Sequence, residues 1–216
     1  MTAPTLRKEN PPMKVLVTGG ATRLGREVCL YFASQGWDIA VHYNRSESLA
    51  LQLQGDLALL YPKVGVSLFK AELASETQVS TLFESVVAQE GSKLNCIVNN
   101  ASLFEPDDGI DFTSELALEQ LKVNLLAPMK LGQSLARFYQ QYPQHFSEGL
   151  GLKPSIVHVL DQKVFNLNPD YFSYTLSKLA LERAVSLQAQ ALAPVVRVNA
   201  VSPGLMYLSG AQTPEN

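Results

Sequence analysis

The chain has little cysteine, no excess of basic residues and no long apolar run, and each shortage excludes a class of protein. Its two cysteines, Cys29 and Cys96, have no metal-ligand spacing, so we predict reduced thiols in a packed core and no metal site. A formal net charge of -3 provides no basic field for nucleic acid. Because no apolar run reaches membrane-spanning length and the N-terminus lacks the apolar core of a secretory signal, we expect no membrane partner and a cytoplasmic location.

Short apolar segments alternate with helical ones along most of the chain. The strand-like runs are Val15–Thr18, Asp38–Tyr43, Val64–Lys70, Asn95–Asn99, Ser155–Leu160 and Val195–Ala200, and the helical stretches lie near residues 25–35, 46–60, 76–90, 115–141 and 172–193. This alternation predicts an α/β fold with a single doubly wound parallel sheet of the Rossmann type. With 46% hydrophobic residues, we expect one domain over residues 13–216, preceded by a mobile tail at residues 1–12.

A glycine-rich turn follows the first of these strands. The apolar run Lys14–Thr18 leads into Gly19 and Gly20, and Gly25 lies at the start of an amphipathic stretch. Glycine lets the backbone approach a phosphate closely, and the N–H groups at a helix N-terminus favour an anion. The pattern predicts a site for a dinucleotide pyrophosphate, although a tight turn without a ligand would have the same sequence.

Tyr174 and Lys178 lie four residues apart in a predicted helix and so project from the same face. An ammonium beside a phenol stabilises the phenolate and lowers the pKa of the phenol toward the working range, which suits an acid–base pair. A half-buried tyrosine beside a solvated lysine would have the same spacing. Five further candidates fall at the carboxyl ends of predicted strands, where doubly wound sheets bind ligands: Gly19, Arg45, Asn100, Asp161 and Pro203.

Several motifs occur together in a fixed order. They are T-G-x-x-x-R-x-G at Thr18–Gly25, Asn99-Asn100-Ala101-Ser102 after a strand, Asn124 in a helix, the Tyr174/Lys178 pair, and Ser202-Pro203-Gly204. In this order and spacing the chain, from about residue 13 to 208, resembles the short-chain dehydrogenase/reductase family. Three details resemble its pteridine reductase branch, which includes bacterial dihydromonapterin reductases: Arg23, the segment His42–Ser46, and Asp161, where most of the family has serine.

The resemblance implies that Lys178 holds the nicotinamide ribose, that Tyr174 exchanges a proton with the substrate, and that Asn124 supports a water chain that reprotonates Tyr174. It also implies a cofactor site made of Gly19, Arg23, Leu24, Gly25, Tyr43, Asn44, Arg45, Ser46, Asn100, Ala101, Ser102, Lys178, Pro203 and Gly204. We expect NADPH there, because a guanidinium beside a hydroxyl at the end of the second strand can grip a 2′-phosphate. Enzymes that choose NAD usually place an acidic residue near that strand end.

The substrate side of the site also follows from the resemblance, which implies that Ser102, Phe104, Asp161 and Tyr174 contact a pterin-like molecule. The ring of Phe104 would stack on the flat heterocycle. A carboxyl group at Asp161 can bond the amino and ring nitrogens of a pterin and help deliver a proton to an imine nitrogen. Asp161 could instead cap the turn after its strand, and Phe104 could instead belong to the core.

Three functions remain open from the sequence. The first is an NADPH-dependent reductase of dihydropterins or dihydrofolate, the second a carbonyl reductase of ketones or 3-oxoacyl groups, and the third a catalytically idle NADP-binding sensor or scaffold. Asp161 and Phe104 favour the first over the second, and the Tyr174/Lys178 pair with Asn124 argues against the third. The resemblance further implies a homo-oligomer, a homotetramer in the family, and a last strand that we expect to lie beyond Asn216 in a longer protein.

Overall fold

The computed structural model describes residues 13–89, 93–143 and 153–204, and its strands form one parallel sheet. The strands are β1 (Met13–Val17), β2 (Asp38–Tyr43), β3 (Val66–Lys70), β4 (Lys93–Asn99), β5 (Ser155–Val159) and β6 (Arg197–Val201). Their order is β3-β2-β1-β4-β5-β6, so the direction of winding reverses between β1 and β4. The predicted doubly wound sheet is confirmed, while the proposed tail at residues 1–12 and the chain after Gly204 lie outside the described residues.

Helices cover both faces of the sheet. They are α1 (Arg23–Ser34), α2 (Glu47–Leu60), α3 (Glu76–Val87), α4 (Ser114–Leu121), α5 (Ala127–Gln141) and α6 (Phe172–Leu192). Buried side chains of α1 and α2, among them Cys29 and Leu53, form one core with β1, β2 and β4. Side chains of α3 and α5, among them Phe83 and Leu135, form the second core on the opposite face, with α6 packed against it. Strands β1, β2 and β4 contribute side chains to both cores, so these strands are packed on both faces.

Strand β4 carries one extra residue opposite β1. Lys14 pairs with Leu94 but Val15 pairs with Cys96, so Asn95 has no partner on β1. The shift puts Leu94 into the core beneath α3 and α5, and puts Cys96 into the core beneath α1 and α2. The amide of Asn95 donates to the hydroxyl of Tyr139 at 3.5 Å, which ties the bulge to α5.

The single helix predicted near residues 115–141 is wrong, because one turn of π-helix at Lys122–Leu126 separates α4 from α5. Pro128 has no N–H and cannot give an α-helical bond to the carbonyl of Asn124, four residues earlier. The wider turn closes with the N–H of Ala127 on the carbonyl of Lys122. It leaves Asn124 only 1% exposed, at the kind of helix irregularity that often marks a functional site.

The described residues include neither a membrane-spanning helix nor a metal-binding group of side chains. Within these ranges no helix combines the length and apolar character needed to cross a bilayer. The same ranges hold no group of three or more histidine, cysteine, aspartate or glutamate side chains close enough to bind a metal ion. Both cysteines are buried thiols in the cores.

Candidate active site

A cleft of about 960 Å³ lies beyond the carboxyl ends of the strands, where sheets of this kind bind ligands. Most of the predicted site residues line it: Gly19, Arg23, Leu24, Gly25, Tyr43, Asn44, Arg45, Ser46, Asn100, Ala101, Ser102, Phe104, Asp161, Tyr174 and Gly204. Asn124 and Lys178 are buried and contact residues of the cleft wall. The main-chain carbonyl of Pro203 accepts the N–H of Gln162 at 3.0 Å, so Pro203 braces the loop that follows β5.

The glycine turn is held tightly against the start of α1. Gly19 has a φ of +62°, and a Cβ on Gly25 would lie 2.2 Å from the carbonyl oxygen of Gly19. The side-chain amide of Asn100 donates to the carbonyls of Thr18 and Gly19 at 3.0 and 3.1 Å. The hydroxyl of Thr18 accepts the N–H groups of Asn100 and Ala101, each at 3.0 Å. With no acidic residue in the first turn of α1, these residues fit a dinucleotide pyrophosphate.

The residues at the end of β2 and directly after it form another part of the cleft wall. Arg45 and Ser46 line the cleft there, and the side chain of Ser46 does not cap α2 although Ser46 precedes that helix. Sequence reasoning missed Glu72, whose carboxylate accepts the amide of Asn44 at 2.6 Å and the N–H of Ala74 at 3.2 Å. The sequence could have indicated Glu72, because this residue follows β3 closely and the carboxyl ends of neighbouring parallel strands meet at one edge of the sheet.

Tyr174 and Asp161 are joined at the other end of the cleft. The hydroxyl of Tyr174 donates to Oδ2 of Asp161 at 2.8 Å. The Oδ1 atom accepts the N–H of Lys163 at 2.8 Å and so caps a 3-10 turn at Gln162–Val164. One oxygen of Asp161 therefore caps the turn and the other binds the phenol, while contact of Asp161 with a pterin stays a prediction.

Lys178 lies beside Tyr174 on the same face of α6, with Nζ 5.7 Å from the centre of the phenol ring. Its ammonium donates to the main-chain carbonyl of Val159 at 2.8 Å. Only 2% of Lys178 is exposed, so the alternative of a solvated lysine is wrong. The pair is part of the buried wall of the cleft.

The expected lowering of the Tyr174 pKa is wrong for this arrangement. Burial raises the pKa of Tyr174 well above its usual value, and the charge and hydrogen bond of Asp161 raise it further. Burial also lowers the pKa of Lys178 to about 8, against the opposing effect of the Asp161 charge. At neutral pH the phenol keeps its proton and most of the lysine stays charged. The site therefore holds the phenol in its protonated form, the form in which a proton donor must enter a reduction.

Asn124 uses its whole side-chain amide on protein partners. Its Nδ2 atom donates to the carbonyl of Leu103 and the hydroxyl of Ser177, each at 2.9 Å. Its Oδ1 atom accepts the N–H of Leu103 at 2.8 Å and the hydroxyl of Ser102 at 3.2 Å. An amide has two donor hydrogens and two acceptor lone pairs, so none remains for water. A water chain at Asn124 must use its main-chain carbonyl, which Pro128 leaves without its α-helical partner.

The ring of Phe104 is part of a small aromatic group in the cleft. It lies parallel to the ring of Tyr171, with centroids 4.0 Å apart and planes at 9°, and perpendicular to the ring of Tyr174 at 4.6 Å. Tyr171 has a left-handed backbone, with φ of +52°, and the Lys163 ammonium lies 5.8 Å from its ring centre. Phe104 lines the cleft and belongs to none of the buried clusters. Since Tyr171 covers one face of Phe104, a flat substrate must meet the other face or displace Tyr171.

Asp107 joins the loop that carries Phe104 to the helix that carries Tyr174. Its Oδ1 atom accepts the N–H of Ser173 at 3.0 Å, and its main-chain carbonyl accepts the N–H of Phe172 at 3.2 Å. The residue before α6 makes no capping bond with its side chain, so Asp107 caps the helix from a distant segment. No local pattern indicated this role, because a capping residue is normally sought immediately before its helix.

The fold and the site together define a class of protein. A glycine turn at the start of α1, a cleft along the carboxyl edge of a doubly wound sheet, and a buried Tyr174/Lys178 pair are typical of oxidoreductases that bind a nicotinamide dinucleotide. The model of the family described as short chain dehydrogenase matches residues 13–215. The chain belongs to the short chain dehydrogenase family.

Similar proteins narrow the branch within that family. Pteridine reductase 1 of Leishmania tarentolae is 32% identical over 224 residues, which cover 89% of this chain and 76% of the relative. A dihydromonapterin reductase of Escherichia coli is 26% identical over 199 residues, which cover 92% and 76%. The structure of FolM alternative dihydrofolate reductase 1 from Brucella canis, complexed with NADP, is 33% identical with a TM-score of 0.82, over 94% of this chain and 76% of that one. The predicted resemblance to the pteridine reductase branch is confirmed.

Proposed function

We propose that the protein is an NADPH-dependent reductase that transfers hydride to a dihydropterin or a dihydrofolate-like substrate. The observation that carries this proposal is the 2.8 Å hydrogen bond from the Tyr174 hydroxyl to Oδ2 of Asp161. A ketone offers only acceptor oxygen, whereas a pterin offers amino and ring N–H groups that a carboxylate can accept. The relatives named pteridine reductase, dihydromonapterin reductase and alternative dihydrofolate reductase support the same substrate class.

We assign the parts of the cofactor to three regions of the cleft. The glycine turn and the N-terminus of α1 would hold the pyrophosphate, and Arg45 with Ser46 would hold the 2′-phosphate, with added charge from Arg23. Lys178 would hold the nicotinamide ribose, because an ammonium has three donors and the carbonyl of Val159 takes one of them. When bound there, NADPH supplies the hydride. The Brucella canis relative complexed with NADP supports this choice of cofactor.

The chain itself must supply one proton for each hydride that adds to a carbon–nitrogen double bond. Tyr174 carries that proton, because burial and Asp161 keep its pKa high. Asp161 orients the hydroxyl, and the charge of Lys178 stabilises the phenolate that forms when the proton leaves. Tyr174 then regains a proton from water, and in our proposal the main-chain carbonyl of Asn124 holds that water.

The substrate would lie across Phe104, with Ser102 and Asp161 at its polar edge. Aromatic stacking suits a flat bicyclic ring. In our proposal the pterin meets the face of Phe104 that Tyr171 leaves uncovered, or it takes the place of the Tyr171 ring. Either arrangement keeps the substrate next to the hydroxyl of Tyr174, whose ring is 4.6 Å from that of Phe104.

The test is a spectrophotometric assay of NADPH oxidation by the full-length protein. The substrates are dihydrobiopterin, dihydromonapterin, dihydrofolate and an acetoacetyl thioester. We expect turnover with reduced pterins or dihydrofolate, and a loss of at least about tenfold in Asp161→Ser that spares any activity on the thioester. A wild-type enzyme that reduces the thioester well, ignores the other three substrates and tolerates Asp161→Ser would refute the proposal in favour of a carbonyl reductase.

We further propose that residues 13–216 belong to one reductase domain, and that the protein is a cytoplasmic homo-oligomer, a homotetramer as the resemblance implies, without nucleic acid or membrane partners. Large apolar side chains exposed on α4 and α6, namely Leu118, Leu176 and Leu187, support a contact between subunits. Light scattering on the full-length protein tests the assembly. A monomeric mass at micromolar concentration would contradict it.

A further inference from the structure

His42 connects two loops that line the cleft, the glycine turn after β1 and the segment after β3. It lies in β2 and is only 2% exposed. Its Nδ1 atom accepts the N–H of Gly19 at 3.1 Å, and its Nε2 atom is 3.1 Å from the carbonyl of Ala71. The main-chain carbonyl of His42 also accepts the N–H of Gly20 at 3.0 Å. One residue therefore holds both glycines of the turn and the first residue after β3.

The partners of His42 determine which ring nitrogen carries the proton. The N–H of Gly19 can only donate, so Nδ1 must present its lone pair. The carbonyl of Ala71 can only accept, so Nε2 must carry the hydrogen. Both bonds therefore require the neutral imidazole in one tautomer. Burial lowers the pKa of His42 to about 4, so this form persists at neutral pH.

The bond to Gly19 fixes a peptide group that would otherwise have a choice of orientation. Gly19 has a positive φ, and a Cβ there would lie 3.0 Å from the Cα of Ala101. Because its N–H points to His42 and its carbonyl accepts the amide of Asn100 at 3.1 Å, the two peptide groups that flank Gly19 are held, one from β2 and the other from the residue that follows β4. The N–H of Gly19 is therefore bonded within the protein. What Gly19 contributes to the turn is its backbone conformation, with a positive φ.

The bond to Ala71 fixes a second part of the cleft wall. Glu72 and Leu73 follow Ala71 directly and line the cleft, and the carboxylate of Glu72 holds Asn44 at the end of β2. A shift of the carbonyl of Ala71 would therefore move side chains that face the adenosine half of the proposed cofactor.

We propose that His42 is a positioning residue for the cofactor, which acts through Gly19 and Ala71 and sets the geometry of the dinucleotide cleft. The proposal rests on the proposed binding of NADPH but not on the identity of the substrate. Of the two ring bonds, the one to Gly19 governs affinity, because it orients the turn that faces the pyrophosphate.

Two isosteric substitutions separate the two bonds. The side-chain oxygen of asparagine can occupy the position of Nδ1, so His42→Asn keeps an acceptor for Gly19 and loses the donor to Ala71. The side-chain nitrogen of glutamine can occupy the position of Nε2, so His42→Gln keeps the donor to Ala71 and offers Gly19 no well-placed acceptor. We expect NADPH binding, measured by fluorescence titration of the full-length protein, to weaken about tenfold or more in His42→Gln. In His42→Asn we expect a change of about threefold or less.

His158 provides a matched control, because it is a second buried histidine in the same sheet with ring bonds to Gln188 and Asn99, away from the glycine turn. We expect His158→Gln to lower the urea midpoint of unfolding about as much as His42→Gln while leaving NADPH affinity within about twofold. Equal NADPH affinity in wild type and both His42 variants would overturn the proposal. Losses of affinity in all three variants that follow their loss of stability would overturn it too, since His42 would then be only structural.

A measurement on the wild type keeps the proposal testable if a variant does not fold. Long-range proton–nitrogen correlation spectra report the tautomer of each histidine ring. We expect His42 at neutral pH with hydrogen on Nε2 alone, and a proton on Nδ1 would overturn the proposal. If the wild type does not bind NADPH at all, the proposed function fails and this inference fails with it, whereas normal binding in every variant overturns the inference alone.

Discussion

Replacing Asp161 by asparagine tests whether the charge of the carboxylate, rather than its shape, supports the reaction. Asp161→Asn keeps the size of the side chain and one oxygen that can accept the N–H of Lys163, so the 3-10 turn stays capped. The second position becomes an NH2 group, which cannot accept the proton of the Tyr174 hydroxyl. One hydrogen bond to a charged acceptor is lost while the local fold is retained.

The expected loss of activity follows from that one bond. A hydrogen bond to a charged group contributes about 1.5–3 kcal/mol, and about 1.4 kcal/mol corresponds to a factor of ten. We therefore expect kcat/KM for a reduced pterin to fall roughly tenfold to 150-fold in Asp161→Asn. The Tyr174 pKa should also fall, because Asp161 contributes to its rise, but burial is the larger cause and remains. The phenol then keeps its proton at neutral pH and loses its orientation.

The assay compares initial rates of NADPH oxidation with a dihydropterin in wild type, Asp161→Asn and a control, Asp170→Asn. Asp170 lies in the same loop and pairs with Lys163, and its exposed carboxylate makes a bond of the kind that contributes little. We expect about fivefold loss or less in the control, with NADPH affinity and the urea midpoint nearly unchanged in both variants.

Two results would refute this reasoning. Wild-type kcat/KM in Asp161→Asn would mean that the reaction does not need the carboxylate charge. Equal losses in Asp161→Asn and Asp170→Asn would mean that the order of the loop, rather than the contact with Tyr174, determines the rate.

Four further outcomes are expected. Arg45→Ala should weaken NADPH binding roughly tenfold to a hundredfold and leave NADH nearly unchanged, and equal affinity of the wild type for both cofactors would contradict this. Tyr174→Phe should fold and bind NADPH but lose about a hundredfold or more in turnover, and near-normal turnover would contradict the role of Tyr174 as proton donor. Phe104→Ala should raise the KM for the pterin in steady-state assays through about 1 kcal/mol of lost stacking, while Tyr171→Ala should lower or preserve that KM. An unchanged KM in Phe104→Ala would argue against stacking. Burial holds the pKa of His158 at about 4, below its ordinary 6.5, so its contribution to stability is complete above pH 6.5 and is lost as the pH falls through 4. That loss amounts to about 3 kcal/mol of the free energy of unfolding. In His158→Gln the free energy of unfolding, measured in urea at a series of pH values, should therefore vary less over this range than in the wild type, and an equal variation would contradict the lowered pKa of His158.

The arrangement of strands and the position of the cleft could be predicted because both depend on local patterns. The prediction for β2 has the bounds found in the structure, Asp38–Tyr43. The prediction for β6 began two residues early at Val195, because the N–H groups of Val195 and Val196 still bond the carbonyl of Leu192 at the end of α6. Apolar character alone does not reveal such a bond.

The residues that sequence reasoning missed act across large separations. Asp107 caps a helix whose N–H group lies 66 residues later, and Tyr171 covers a ring carried by another loop. Neither contact has a local pattern, since each depends on which loops the sheet brings together. The break in the long helix was more accessible, because Pro128 is visible in the sequence and removes the bond to Asn124.

The boundary between β1 and β4, where the winding of the sheet reverses, divides the cleft into two parts whose preferences can be altered by substitution. Thr18 connects the two sides of this boundary, because its N–H donates to the carbonyl of Val98 at 3.0 Å and its hydroxyl accepts the N–H of Asn100. Arg45, proposed to choose the nucleotide, belongs to the half built on β1 to β3, and Asp161, proposed to choose the substrate, belongs to the half built on β4 to β6. Distant substitutions without shared partners usually have additive effects. We therefore expect that a change of cofactor preference at Arg45 and a change of substrate preference at Asp161 can be designed separately and then combined in one protein.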